Sequence, residues 1–377
     1  MAADGPNCKK YGVPLYGAAW VPPAAIRSVL SSSEDDDDSA AAPPEENDVV
    51  LAGGGGEGSS GIPNALLIAN FNFESNSLSD QPVARLGTGT ELPYRIAVHP
   101  GGEGVICSFP ESCRWYEWAA AEGADGHALD LRSSERILNH LEDVGQQLSL
   151  TFNSEGSLLA TGGEDGKLRI FKWSSMELML NEANAHTSVK DLHFSPNGKF
   201  LVSVGSGSAR VWDVDNSTAI ASLQKENDER FSFCKFSSAR DGNQVLYIIA
   251  MKDQGTCMLK WNTTSWNKIS SKRIARDAVS AFDVSADGKL LAIGTIQGDI
   301  WVLNSDNMRV HTVVKKAHLG LVTALRFSQD SRSLLSASMD SSARVTQMKD
   351  ETRNGLNLWI ILFVILLAIA AYFIISK

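Results

Sequence analysis

Short apolar stretches alternate with polar turns over most of the chain, and one arrangement returns several times. It is an apolar strand that ends in Phe or Val, a polar turn, a second apolar strand, another turn and a third strand. The copies read LTFNSEGSLLATGGEDGKLRIFKW, LHFSPNGKFLVSVGSGSARVWDV, FDVSADGKLLAIGTIQGDIWVL and LRFSQDSRSLLSASMDSSARVTQM. The residues that end the first strand are Phe152, Phe194, Phe236, Val284 and Phe327, with spacings of 42, 42, 48 and 43 residues.

Periods of about 40–45 residues with four short strands each are typical of the blades of WD-repeat β-propellers. The dipeptide Trp212-Asp213 is a literal WD pair. His186 and His318 each follow an alanine, at the place where such repeats carry a Gly-His pair. The pattern therefore predicts an all-β WD-repeat propeller.

Two further anchor residues lie upstream of these repeats. They are Val98 and Trp20, which bring the number of anchors to seven, and the wider gaps of 54 and 78 residues contain loops and an acidic insertion. We therefore predict seven blades, with six or eight as alternatives. The last repeat shows only three strands, and a propeller must close its ring to remove free sheet edges. Residues near the N-terminus are expected to supply the missing outer strand.

The sequence offers no recognisable enzyme active site. It contains no GxSxG, HExxH or CxxC motif, and no Walker lysine follows the glycine-rich segment. His186 and His318 could in principle be catalytic residues or metal ligands, but in this kind of repeat a histidine more often hydrogen-bonds within its own blade. We expect the structural role for both, and we do not expect an enzyme.

The charge of the chain is acidic and partly local. The formal net charge is -10 over 377 residues. This argues against a nucleic-acid-binding protein, because the sequence shows no basic face that could bind phosphates. The segment SSSEDDDDSAAAPPEEN, residues 31–47, contributes much of this charge. It is too polar to bury a core, so we expect a disordered, solvated insertion rather than an acidic interaction patch.

The other end of the chain is strongly apolar. Residues 358–375, LWIILFVILLAIAAYFII, are 18 residues without a charge. At about 1.5 Å per residue a helix of this length spans about 27 Å, close to the hydrocarbon thickness of the endoplasmic reticulum membrane. The pattern predicts one C-terminal transmembrane helix, with a buried core helix as the alternative. A cytosolic propeller over 1–350, a linker over 351–357 and a lumenal tail over 376–377 complete the predicted organisation.

The segment GGGGEGSSGIPN, residues 53–64, is the most unusual in the chain. Residues 56–61 match GxGxxG, but a dinucleotide fingerprint needs a helix after the glycines, and here a second strand is predicted from Ala65 to Phe71. We interpret the match as coincidental. The residues alone leave two alternatives, a flexible loop or a loop whose backbone carbonyls converge on a large monovalent cation.

This glycine loop, together with YGVPLYGA, VKDLHFS and the apolar end, closely resembles the Sec-type guanine-nucleotide exchange factors that initiate COPII coat assembly. The resemblance covers essentially the whole chain and is strongest to the plant versions. It implies an endoplasmic reticulum membrane protein whose cytosolic propeller activates a Sar-type small GTPase. A relative that assists export of membrane cargo without catalysing exchange is the alternative function, although that relative lacks the loop.

The resemblance also implies the site. In that family a bound potassium ion organises the loop, and its GIPN end meets the GTPase. Carried over, Asn64 is the residue needed for exchange, Ile62 and Pro63 lie at the contact, and the Asn64 amide is expected to be exposed. The potassium-organised part of the loop, which would act mainly through backbone carbonyls, comprises Gly53, Gly54, Gly55, Gly56, Glu57, Gly58, Ser59, Ser60 and Gly61.

Overall fold

The computed structural model describes residues 5–31, 46–58, 60–121, 129–205, 207–226, 228–238, 244–253 and 255–348. These residues form seven antiparallel sheets, which are the seven blades of a propeller. Each blade uses consecutive strands, apart from the last, which borrows a strand from the start of the chain. The predicted all-β, seven-bladed fold is confirmed.

The first three blades occupy the N-terminal half of the chain. Blade 1 consists of β2 (Leu15–Trp20), β3 (Glu46–Gly53), β4 (Ala65–Asn72), β5 (Ser77–Leu78) and β6 (Ala84–Gly87). Blade 2 consists of β7 (Arg95–Val98), β8 (Gly104–Ser108), β9 (Cys113–Ala120) and β10 (Leu129–Ser133). Blade 3 consists of β11 (Gln147–Phe152), β12 (Leu158–Gly163), β13 (Leu168–Lys172) and β14 (Glu177–Glu182). Two helices lie between strands in the described part of the chain, α1 (Pro23–Ser31) and a short 3-10 helix (Asn139–Leu141).

The remaining blades follow in chain order. Blade 4 consists of β15 (Val189–Phe194), β16 (Phe200–Gly205), β17 (Ala209–Asp213) and β18 (Thr218–Leu223). Blade 5 consists of β19 (Arg230–Ser238), β20 (Gln244–Lys252), β21 (Gly255–Asn262) and β22 (Lys268–Ala275). Blade 6 consists of β23 (Val279–Val284), β24 (Leu290–Thr295), β25 (Ile300–Asn304) and β26 (Val310–Val314). Blade 7 consists of β27 (Val322–Phe327), β28 (Ser333–Ser338), β29 (Ser342–Gln347) and β1 (Cys8–Lys10).

All seven anchor residues lie in the first strand of a blade, and six of them end that strand. Phe236 is the exception, because β19 continues two residues further, to Ser238. The anchors pack where one blade meets the next. For example, Phe236 joins Val202, Phe231 and Trp261 in a buried cluster between blades 4 and 5. The repeat spacing therefore marks the positions that hold adjacent blades together.

The ring closes through the N-terminal strand, as the sequence predicts. Strand β1 pairs antiparallel with β29, with Cys8 opposite Arg344 and Lys10 opposite Ser342. Just before β1, the Asn7 side chain donates to the Val345 carbonyl at 2.8 Å. The three-stranded last repeat thus gains its fourth strand from the other end of the chain, and its edge is covered.

The inner strands of the blades are buried on both faces. Strand β28, for instance, has all six residues buried, whereas the outer strand β22 is mostly exposed. This explains why the inner strands read as nearly continuous apolar runs rather than as a strict alternation, since both faces of each sheet pack against neighbouring blades. The core is therefore divided into clusters between the blades.

Two predicted segments lie wholly or largely outside the described residues. The described residues do not include the apolar stretch 358–375 or its predicted linker and tail. They also do not include residues 32–45 of the acidic insertion. The residues at the two ends of that insertion belong to regular elements, because α1 extends to Ser31 and β3 begins at Glu46. Within the described ranges, none of the helices combines the length and the apolar character that a membrane span requires.

Candidate functional site: the glycine loop of blade 1

The glycine loop, residues 53–64, connects β3 to β4. These two strands pair antiparallel in continuous register, from Gly53 opposite Ala65 to Glu46 opposite Asn72. A strand therefore follows the glycines where a phosphate-binding loop would need a helix N-terminus. The interpretation of the GxGxxG match as coincidental is confirmed.

The base of the loop packs tightly against the segment that precedes β2. The Gly54 amide donates to the Pro14 carbonyl at 3.0 Å. A Cβ at Gly53 would lie only 2.1 Å from that same Pro14 oxygen, which is far inside van der Waals contact. Glycine at position 53 thus allows the chain ahead of β2 to approach the loop and fix the direction in which it leaves the blade.

Asn64 closes the loop from inside. Its side chain is only 3% exposed. The Oδ1 atom accepts a hydrogen bond from the Gly56 amide at 2.9 Å, and Nδ2 donates to the carbonyls of Gly56 at 3.3 Å and Gly89 at 3.1 Å. The expectation of an exposed Asn64 amide is therefore wrong. A run of glycines has no side chains to satisfy its backbone groups, and an asparagine amide can supply both a donor and an acceptor to them.

The distal part of the loop lies at the surface. The side chains of Ile62 and Pro63 are exposed, with Ile62 36% accessible, and the neighbouring Gly61 is exposed as well. The loop doubles back here, because a Cβ at Gly55 would lie 2.3 Å from Ser60 Oγ and 2.9 Å from Ile62 Cβ. The structure therefore places Ile62 and Pro63 where a partner can reach them, on a turn that folds over Gly55.

Uncharged oxygen atoms lie beside two consecutive glycines of this turn. A Cβ at Gly54 would lie 2.1 Å from Asn64 Oδ1, and a Cβ at Gly55 would lie 2.3 Å from Ser60 Oγ and 3.0 Å from the Ile62 carbonyl oxygen. Carbonyl, amide and hydroxyl oxygens suit a hard cation such as potassium better than they suit a transition metal. In the part of the chain that the structure describes, no group of three or more His, Cys, Asp or Glu side chains could hold a metal ion. Ser59 lies outside the described residues.

The two histidines singled out from the sequence lie away from this loop and serve their own blades. His186 Nε2 lies 2.8 Å from Ser203 Oγ, and the same hydroxyl oxygen accepts a hydrogen bond from Trp212 Nε1 at 2.8 Å. His318 contacts Ser342 Oγ at 2.6 Å and Ser336 Oγ at 2.8 Å through its two ring nitrogens. The structural role predicted for both histidines is confirmed.

The residues that support the loop were not identified from the sequence. Pro14 belongs to the quoted YGVPLYGA segment, but nothing in that pattern placed its carbonyl under Gly53. Gly89 and Thr88 follow β6, and the Thr88 amide donates to the Asn64 carbonyl at 3.0 Å. The distances along the sequence from Pro14, Thr88 and Gly89 to the glycine loop do not correspond to the repeat period. Only the paired fold of blade 1 brings them together.

The chain is similar in sequence to known proteins over much of its length. Two family models match parts of the chain, the anaphase-promoting complex subunit 4 WD40 domain over residues 150–264 and the WD domain, G-beta repeat, over residues 309–346. SEC12-like protein 2 of Arabidopsis thaliana is 53% identical, over 94% of this chain and 91% of that protein. SEC12-like protein 1 of the same plant is 32% identical, over 77% and 73% of the two chains. The guanine nucleotide-exchange factor SEC12 of Rattus norvegicus is 27% identical, over 54% and 52%.

Proposed function

Because this chain belongs to the SEC12-like family, we propose that it is a guanine-nucleotide exchange factor for a small GTPase, as the named mammalian relative is. We propose further that the GTPase is of the Sar type and that exchange takes place on the cytosolic side of the endoplasmic reticulum membrane, where it initiates COPII vesicle formation. One observation carries the proposal: the glycine loop presents an exposed turn, Ile62-Pro63, whose shape is held by the buried amide of Asn64.

This function needs no bond-making residue. An exchange factor accelerates GDP release by binding the nucleotide-free GTPase more tightly than the GDP-bound form, and by linkage a new nucleotide then expels the factor. The chain therefore acts as a regulatory protein. What the chain must provide is a surface that fits the nucleotide-free state and loses little conformational entropy when it binds.

Different residues of the loop contact the GTPase and hold the loop in shape. Ile62 and Pro63 are the contact residues, since their side chains are accessible. Asn64 is a positioning residue, because its three side-chain hydrogen bonds go to Gly56 and Gly89 within blade 1. Loops that are already fixed in their bound shape gain affinity because less conformational entropy is lost on association.

Potassium is the proposed cofactor of this loop. The backbone carbonyls of Gly53 to Gly61 would hold the ion. Asn64 Oδ1, which faces Gly54, and Ser60 Oγ, which faces Gly55, would add to them. When bound, the ion would draw these oxygens together and lower the entropy of the glycine segment. It would take no part in chemistry, since exchange makes and breaks no covalent bond.

A second candidate function is the export of membrane cargo without catalysis of exchange. The names of the two plant relatives state neither activity. The intact glycine loop favours exchange. Release of a fluorescent GDP analogue from a purified Sar-type GTPase distinguishes the two.

The experiment uses the full chain in liposomes, with three matched preparations. We expect the natural chain to accelerate GDP release from the Sar-type GTPase and Ile62→Ser to lose most of that effect. Ile269→Ser is the control, because Ile269 is 55% exposed on the outer strand β22 of blade 5, away from the loop. A natural chain that leaves the release rate at its intrinsic value would overturn the exchange function and favour cargo export.

A further inference from the structure

A small chamber in the central channel is lined by an excess of positive charge. Its walls come from the first strands of six blades, and its volume is about 60 Å³. Four cationic side chains line it, against a single carboxylate, that of Asp191. The cations are Arg95, Lys190, Lys235 and Arg326. This concentration of positive charge is unexpected in a chain whose formal net charge is -10.

Lys235 is a buried cation with few partners. The residue is only 9% exposed, yet no hydrogen bond joins its ammonium group to any of the described residues. Its contact with a carboxylate is long, 3.9 Å from Nζ to Asp283 Oδ1. A buried ammonium group is costly unless partners replace the water it has lost, so this side chain lacks the partners that its burial calls for.

The carboxylates near the chamber are engaged elsewhere. Asp191 accepts from Ser149 Oγ at 3.2 Å and from the Cys234 amide at 2.9 Å. Asp283 Oδ2 accepts from the Phe327 amide at 2.8 Å. These bonds tie the first strand of one blade to the next. The carboxylates therefore serve blade-to-blade contacts and give the cations no close charge-assisted hydrogen bond.

The two arginines are held in place by backbone carbonyls. Arg95 Nη1 donates to the Tyr16 and Thr323 carbonyls, both at 3.1 Å. Arg326 Nη1 donates to the carbonyl of Leu325 at 3.0 Å and remains 3.9 Å from Asp283 Oδ1. Neutral carbonyls orient a guanidinium group without neutralising it. Each arginine thus keeps its full charge and further N–H groups for another acceptor.

A neighbouring histidine, His193, carries no charge of its own. His193 on β15 accepts from the Phe236 amide through Nδ1 at 3.1 Å. Burial, followed by the charges of Lys235 and Arg326, holds the pKa of His193 well below its ordinary value. His193 is therefore neutral and does not add to the charge.

We propose that the central channel binds a small multivalent oxyanion, such as phosphate or sulfate, between Lys235, Arg326 and Arg95. The oxygens of such an anion would accept from the ammonium group of Lys235 and from the two guanidinium forks, which are the donors best suited to them. The chamber has room for several water molecules and is too small for a nucleotide. A bound oxyanion would also relieve the repulsion among the cations and so stabilise the fold.

Calorimetric titration of the full chain with inorganic phosphate, at constant ionic strength maintained with chloride, tests the proposal. We expect saturable binding of one phosphate per chain, competition by sulfate, and a rise in Tm that follows occupancy. Lys235→Met removes the ammonium group and keeps an apolar stem, and it should weaken phosphate binding at least tenfold. Lys167→Met, at an exposed turn of blade 3, is the matched control and should bind as the natural chain does.

The proposal is overturned if phosphate does not bind saturably, or if an equal ionic strength of chloride raises Tm as much. Unchanged phosphate affinity in Lys235→Met would also overturn it. If Lys235→Met does not fold, Arg326→Gln replaces it, because the Arg326 side chain is 38% exposed and Asp283 keeps its hydrogen bond from the Phe327 amide. That variant should weaken binding by a similar factor, and unchanged affinity would reject the site. None of these measurements involves a GTPase, so their outcome is separate from that of the exchange assay.

Discussion

Asn64 and Gly56 face each other across the glycine loop, and hydrogen bonds join them in both directions. The Gly56 amide donates to Asn64 Oδ1 at 2.9 Å, and Asn64 Nδ2 donates back to the Gly56 carbonyl at 3.3 Å. A third bond from Nδ2, to the Gly89 carbonyl at 3.1 Å, ties this pair to the connection that follows β6. One buried amide therefore determines the shape of the turn that carries Ile62 and Pro63.

Asn64→Ala should impair both exchange and folding. The substitution removes three hydrogen bonds, two with half-buried Gly56 and one with Gly89, which should lower the free energy of unfolding by about 1–3 kcal/mol. Exchange should slow at least tenfold, because the Ile62-Pro63 turn loses its fixed position. GDP release and thermal unfolding, measured on one preparation, check both effects.

Asn64→Asp is the conservative counterpart. A carboxylate can still accept from the Gly56 amide, but it cannot donate to the carbonyls of Gly56 and Gly89 and would face them with negative charge. We expect it to be as defective as Asn64→Ala. Normal stability with lost exchange in both variants would show instead that Asn64 contacts the GTPase directly.

Ile62→Ser should separate binding from stability. The Ile62 side chain is 36% exposed, so its replacement removes little from the core, and Tm should stay unchanged. An apolar contact residue at the centre of an interface commonly accounts for a tenfold or larger change in affinity. The measurement is the affinity for the nucleotide-free GTPase, with Ile269→Ser as the control. Equal affinities for the two variants would remove Ile62 from the interface.

Two alanine substitutions in the loop should have opposite outcomes. A Cβ at Gly55 would lie 2.3 Å from Ser60 Oγ and 2.9 Å from Ile62 Cβ, so Gly55→Ala should push the turn outward and slow exchange. A Cβ at Gly58 would have nothing within 4 Å among the described residues, so Gly58→Ala should exchange normally. Hydrogen exchange of the Ile62 amide reports the movement. Equal exchange rates for the two variants would contradict the close approach of Gly55 to Ser60 and Ile62.

The positions that hold the blades together could be predicted from the sequence, because the repeat imposes them. Residues such as Phe194 and Phe327 recur at nearly fixed spacing and end equivalent strands. The burial of Asn64 could not be predicted, since it depends on Gly89 and on the path of the chain near Pro14, which follow no period. The repeat pattern identifies residues that recur in every blade, whereas the glycine loop occurs in blade 1 and belongs to no repeat.

Closure of the ring should depend on the first ten residues. Deletion of residues 1–10 removes β1, with the buried side chain of Cys8 and the bond from Asn7 to the Val345 carbonyl. Loss of these contacts should cost about 3 kcal/mol and leave β29 as a free edge prone to association. Deletion of residues 1–4 alone, which spares β1, is the control. Equal Tm values for the two deletions would contradict closure by this strand.

Stability should fall as the pH drops from neutrality towards 4, because His186 and His318 are held neutral in the folded chain, as is His193 beside the channel. Burial is the main cause in each case. It lowers the pKa of His318 to about 4 despite the opposing charge of Asp340, and it lowers the pKa of His186 to about 4 with help from Arg210.

The sign follows from the two states of the chain. Below about pH 6.5, the ordinary pKa of histidine, the unfolded chain takes up protons that the folded chain does not, so unfolding becomes more favourable with each step towards pH 4. Each histidine should contribute up to about 1.4 kcal/mol per pH unit in that window and nothing above pH 7. Tm measured from pH 7.5 to pH 4.5 should therefore be flat at first and then decline.

His318→Gln tests the assignment. Glutamine can still hydrogen-bond to Ser336 and Ser342 but carries no proton that titrates, so the decline in Tm below pH 6.5 should become shallower. His140→Gln, at an exposed position in the short 3-10 helix before blade 3, should keep the natural slope. If His318→Gln declines as steeply as the natural chain, the acid sensitivity arises elsewhere, and the buried histidine of blade 7 does not control it.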